Sequence, residues 1–175
     1  MDIIQSHGLR EITRQDAIAM AHVMRAKFAS IGINIRIGRV SYTKLINPDY
    51  TLATYTSGVF WWQKHLPPRA NIIRHVITPP FFDGKLFYIA GVAPGVCIAR
   101  WKYAVSTSNA QRTNLAGQDR FYHSAIAMTH ELGHVFGCRH TVSRSIMNVG
   151  ALSLEPVATL QFAPESTRQI YQCIG

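Results

Sequence analysis

The 175-residue sequence contains only three cysteines, Cys97, Cys138 and Cys173. Three thiols make no disulfide framework, so a packed core must hold the fold, with room for one crosslink and one thiol left over. Charged residues are also few, 15% against 47% hydrophobic, which excludes a self-repelling disordered chain and indicates a globular one. Acidic side chains are scarcest: nine Asp and Glu face eighteen Lys and Arg, for a net charge of +9. That balance implies attraction to anionic surfaces. The basic residues are nevertheless scattered, as at Arg10, Arg14, Arg36, Arg39, Lys64, Arg69, Arg100 and Lys102. With no zinc-finger spacing and no ribonucleoprotein motif, specific nucleic-acid recognition is not expected. No apolar run approaches the ~20 residues of a membrane span. The opening "MDIIQSHGLREITRQ" lacks the basic start and apolar centre of a secretory signal. Internal repeats, low-complexity tracts and linkers are absent too, so residues 1–175 read as one domain.

What is present is a series of periodic segments. Residues 13–30 read as a helix: Thr13 and Asp16 make a capping pair, and Gly32 sits where a helix stops. Ala17, Met20, Ala21, Met24 and Phe28 recur at helical spacing and give it one apolar face. In "INIRIGRV", Ile33, Ile35 and Ile37 alternate with polar residues, the pattern of a half-buried strand. A second helix is expected over 51–66, with Leu52, Tyr55, Val59, Trp62 and Leu66 on one stripe and Pro67-Pro68 ending it. The following segment reads as strands broken by turns, with a hairpin signal at Asp83-Gly84. Helical spacing returns over 119–136 through Ala125, Met128, Leu132 and Val135, and a last short helix is expected from Pro164.

The third of these helices ends in "HELGHVFGCRH", residues 130–140. With 3.6 residues per turn, His130 and His134 lie nearly one above the other, and two such imidazoles can reach a single Zn²⁺. Glu131 is rotated about 100° from the first ligand and can stand beside the metal without coordinating it. A catalytic zinc takes three protein ligands and keeps one position for water, so a third ligand is required. A continuing helix would carry that ligand away. Gly137, free of a Cβ, can end the helix in a left-handed conformation and swing His140 back, while Gly133 permits close backbone packing. Cys138 is expected to be a small buried thiol, the alternative being a thiolate ligand in the position that three histidines leave to water, and His7, His22, His65, His75 and His123 lack any ligand spacing.

The eleven residues match the metzincin pattern H-E-x-x-H-x-x-G-x-x-H, and "SIMN" places Met147 seven residues past His140, where metzincins carry a methionine turn. "FFDGKLFYIAGVAPGVC", "AIAMTHELGHVFG", "SIMN" and "LQFAPESTRQIYQCIG" follow one another as similar segments do in the reprolysin (adamalysin, ADAM-like) family. That resemblance implies an α/β zincin-like fold: a twisted mixed sheet with helices, an active-site helix at the cleft floor and a small C-terminal subdomain. The subdomains would divide at about residue 137, giving 1–137 and 138–175. It further implies a rim strand near 87–92 that takes substrate peptides antiparallel, and a Cys97–Cys173 bond. The chain departs from the family in having Thr141, not Asp, after the third ligand, and in leaving only twelve residues for a first strand: either the sheet lacks a strand, "MDIIQSH" supplies a stub, or the chain is a fragment.

The expectation is therefore a zinc metalloendopeptidase acting on protein or peptide substrates. His130, His134 and His140 would hold Zn²⁺, and Glu131 would serve as general base toward a zinc-bound water. The alternative is a catalytically silent metal-containing module with a binding or toxin-like role, against which the presence of Glu131 counts. The family and the cysteine pair imply a secreted or periplasmic home.

Overall fold

A computed structural model of the chain describes residues 2–5, 13–42, 64–66, 72–78, 81–82, 88–89, 91–93, 95–97, 103–109, 118–154 and 156–175. Among these, β1 (Asp2–Gln5), β2 (Val40–Tyr42), β3 (Ile72–Thr78), β6 (Gly91–Val92) and β7 (Tyr103–Asn109) form a mixed sheet in the order β2-β1-β3-β7-β6. The first four strands run parallel, and β6 pairs antiparallel with β7 through Gly91↔Ser108 and Val92↔Thr107. The N-terminal stub is thus a strand between β2 and β3, in register Ile3↔His75 and Ile3↔Val40. A second pair, β4 (Phe81–Phe82) and β5 (Tyr88–Ile89), is antiparallel as the hairpin signal required, while residues 83–87 lie outside the described set.

Helix α1 (Arg14–Ala29) begins at Thr13, whose side chain accepts from the Asp16 N–H while Asp16 reaches back to the Thr13 backbone. This reciprocal box satisfies two donors that the first turn otherwise leaves unpaired. The face formed by Ala17, Met20, Ala21, Met24 and Phe28 is fully buried, as the spacing predicts. It packs against α2 (Gln118–Val135), a helix covered on nearly every side: residues 123–129 are all buried, as are Leu132 and Val135. A helix so enclosed is the centre of the core and not an amphipathic surface element.

"INIRIGRV" is a correction. Ile33 and Ile35 are buried and Asn34 and Arg36 exposed, yet residues 33–39 are irregular and the ladder begins only at Val40. Alternation records which side chains face the core; a strand also needs a partner at that register. The helix expected over 51–66 lies mostly outside the described residues, although Lys64 and His65 are helical.

Beyond α2 the chain runs through short 3-10 turns to α3 (Pro164–Ile174), with Pro at its first position. Ile146, Met147, Leu160, Phe162 and Ile170 are buried from this side and share one apolar cluster with α1 and α2. Phe28 joins the halves, its ring centroid 5.3 Å from Phe136 and 4.9 Å from Phe162. Cys97 and Cys173 form a disulfide that ties the segment after β6 to α3 across 76 residues. No helix among the described residues is long and apolar enough to cross a membrane.

Candidate metal centre

Helix α2 delivers His130, Glu131 and His134, and its end decides where the next ligand goes. The Cys138 N–H donates to the Gly133 carbonyl at 2.9 Å and the Gly137 N–H to that of His134 at 2.9 Å. These are the paired bonds of a Schellman motif, with Gly137 as the positive-φ residue at +110°. A Cβ there would come within 2.7 Å of the Cys173 Cβ and 3.0 Å of the Gln169 carbonyl oxygen. Gly137 is therefore required both by its backbone angle and by the close approach of α3. Gly133 is required by packing: a Cβ would run into the Met147 Sδ, and the Phe162 ring stands 3.3 Å away.

The reversal brings three imidazoles together. The Nε2 atoms of His130 and His140 are 3.1 Å apart, and that of His134 is 3.2 Å from each. Nδ1 of His130 lies 2.7 Å from the Ile146 carbonyl oxygen, and Nδ1 of His134 lies 2.7 Å from that of Cys138. A carbonyl only accepts, so both Nδ1 atoms carry the proton and both Nε2 atoms carry a lone pair. Two convergent lone pairs at that distance, with a third ring nitrogen closing the triangle, repel unless a cation lies among them. Three nitrogens ~2.0–2.1 Å from a tetrahedral zinc stand about 3.3–3.4 Å from one another, so the observed triangle fits the ion. His130, His134 and His140 thus form a site that can bind zinc, with His140 exposed and the other two partly buried.

Electrostatics favour the metal-ready form. Burial lowers the His130 pKa to about 3, with the neighbouring His134 adding to the effect. Burial likewise lowers His134, against the opposing bond to the Cys138 carbonyl. Both rings are neutral near pH 7, as ligation demands. Glu131 is buried, and burial pushes its carboxyl up to about 8, opposed by a hydrogen bond from the Ala93 backbone just beyond β6. A zinc ion beside it would draw that value down.

The remaining sequence candidates fall elsewhere. Cys138 is a buried free thiol, raised by burial to about 12 and close to the Ser166 carbonyl at 3.5 Å, which makes it inert and no ligand. His75 and His123 are buried away from the triad, and His65 is exposed. His7 lies outside the described residues, and His22 sits on the exposed side of α1. The groups that sequence reasoning missed are main-chain ones: the carbonyls of Ile146 and Cys138 and the N–H of Ala93 carry no residue-type signal.

No protein-family model matches the sequence, and no curated protein sequence matches it. Solved structures do. The chain is similar to an archaemetzincin from Methanopyrus kandleri, with TM-score 0.73 and 14% identity over 99% of this chain and 94% of that one. A second archaemetzincin, from Archaeoglobus fulgidus and complexed with malonate, gives TM-score 0.55 and 18% identity over 97% and 99% of the two chains. Metalloproteinase-II from Bacteroides fragilis gives TM-score 0.61 and 12% identity over 99% of this chain and 52% of that one. At such identities the likeness is one of fold. It agrees with the mixed α/β fold and lends nothing to the narrower reprolysin reading.

Proposed function

We propose that the chain is a zinc-dependent endopeptidase of metzincin type, acting on protein or peptide substrates with Glu131 as general base. The observation that carries this reading is a triangle of convergent imidazole nitrogens, two of them with lone pairs fixed by carbonyl partners, at the end of a helix that also bears a buried carboxyl one residue away. Bound zinc supplies positive charge that makes water acidic near neutral pH and polarises a carbonyl. The chain's own residues do the rest. His130 and His134 are held in one tautomer by the Ile146 and Cys138 carbonyls, so neither ring must reorient to ligate. The Ala93 N–H orients the Glu131 carboxyl, which takes a proton from the attacking water and returns it to the leaving amine.

The wider assignments belong to the same proposal. The turn that buries Met147 against Gly133 serves as the methionine turn, an apolar floor with no coordinating role. Strand β6 forms the rim to which an extended peptide adds, and the single catalytic domain divides near residue 137. The Cys97–Cys173 bond supports an oxidising compartment, secreted or periplasmic. The +9 charge favours approach to anionic surfaces.

Glu131→Gln tests the reading. The variant should keep one zinc per chain by metal analysis and lose hydrolysis of a quenched-peptide library by about 10²–10⁴-fold. Undiminished cleavage would remove Glu131 from the chemistry. Zinc-loaded wild-type protein with no turnover on that library would favour a metal-holding binding module.

A further inference from the structure

Thr141 directly follows the third ligand and begins a loop that folds back on itself. Its N–H donates to the Met147 carbonyl at 3.0 Å, and Thr141 bridges Asn148. The loop therefore governs two ligands: His140 by covalent attachment, and His130 through the Ile146 carbonyl. Its side chains form a chain of hydroxyls. Ser145 Oγ lies 2.9 Å from Thr141 Oγ1, Thr141 Oγ1 lies 3.0 Å from Ser143 Oγ, and Ser143 Oγ lies 2.8 Å from Glu165 Oε1 in the first turn of α3.

Each hydroxyl has one proton to give. Ser143 is the donor in both of its contacts, so its proton is shared between the Glu165 carboxylate at 2.8 Å and Thr141 Oγ1 at 3.0 Å. The 2.9 Å contact between Thr141 and Ser145 can be donated from either side. Ser143 thus ties the Glu165 carboxylate to the residue that directly follows His140. Asn148 Nδ2 adds a donor to the Ser143 carbonyl at 3.1 Å, closing the loop from its other limb.

We propose that Glu165, acting through Ser143 and Thr141, is a positioning residue for the metal centre, holding from α3 the loop that presents His140 and the Ile146 carbonyl. The inference rests on the zinc reading above. It concerns retention of the ion and does not depend on turnover.

The test is the rate at which zinc leaves the loaded, full-length chain for an excess of a high-affinity chelator, measured beside thermal unfolding of the metal-free form. Glu165→Ala and Ser143→Ala should each release zinc about tenfold faster, the lower end of what loss of a ligand's supporting bonds costs. Glu165→Gln keeps an acceptor oxygen for Ser143 and should stay within about twofold of wild type, since the neutral bond is only about half as strong. Ser143→Ala is the smallest change and keeps the test readable should Glu165→Ala fail to fold. Unchanged release in Ser143→Ala overturns the proposal, as does a lowered melting temperature with unchanged release. So does release from Glu165→Gln as fast as from Glu165→Ala, because charge at the helix terminus would then be the cause. Wild-type protein that takes up no zinc removes the metal reading and this inference with it, whereas unchanged release from zinc-loaded variants removes this inference alone.

Discussion

Replacing Gly137 by Ala perturbs a single atom at the point where the helix turns toward its third ligand. At φ +110° an L-residue is strained, which costs on the order of 1–3 kcal/mol. The new Cβ also meets the Cys173 Cβ at 2.7 Å and the Gln169 carbonyl at 3.0 Å. Neither neighbour is the free end of a flexible side chain: one belongs to a disulfide and the other to helix backbone. Overpacking of that kind adds roughly 1–3 kcal/mol. The sum, about 4 kcal/mol, is a large share of the ~5–15 kcal/mol by which domains are stable. For a chain of this size it lowers the melting temperature by about 8–16 °C. Because relief comes by rotating the backbone between His134 and His140, zinc affinity should fall along with stability. Calorimetric melting with and without zinc reads both effects. A Gly137→Ala protein that melts and binds zinc like wild type would refute the reasoning about the turn.

Three further outcomes are expected. Zinc at a hundredfold excess over its dissociation constant should stabilise the chain by about 2.7 kcal/mol, and a chelator should reverse the gain; a melting temperature indifferent to zinc would argue against the triad as a site. Reducing Cys97–Cys173, which spans 76 residues, should cost roughly 4 kcal/mol of unfolding free energy in denaturant titrations, and no change in midpoint would show that the crosslink constrains little. Burial lowers the His75 pKa to about 3, whereas in the unfolded chain it titrates near ~6.5, so the unfolded state binds more protons in between. Stability should therefore fall as pH drops through that window, and an NMR titration showing the folded His75 ring protonating near pH ~6.5 would contradict its burial.

Local signals were legible where one residue type has one physical reason. The Thr13–Asp16 box, the five-residue face of α1, Pro164 and the bend at Gly137 all stand where their chemistry demands. The two helical histidines and His140 could be grouped before any fold was known, because spacing along a helix and a glycine stop determine their directions. Signals failed where the partner is main chain or far along the sequence. Nothing in "INIRIGRV" tells that residues 33–39 stay irregular and that the ladder begins only at Val40, so alternation there records burial without pairing. Ala93 holding Glu131 and Ser143 reaching Glu165 are contacts across 38 and 22 residues made by groups that any sequence contains. The reprolysin likeness leans on segments around one motif, and that motif constrains the end of a helix and a turn, not the order of strands in the sheet.

The most direct measurement is a crystal structure of the chain grown with zinc, paired with X-ray absorption at the zinc edge in solution. The expected result is one ion bound by Nε2 of His130, His134 and His140 at ~2.0–2.1 Å, with no sulfur in its shell. An ion held by Cys138 at ~2.3 Å, or three rings turned to separate places, would contradict it.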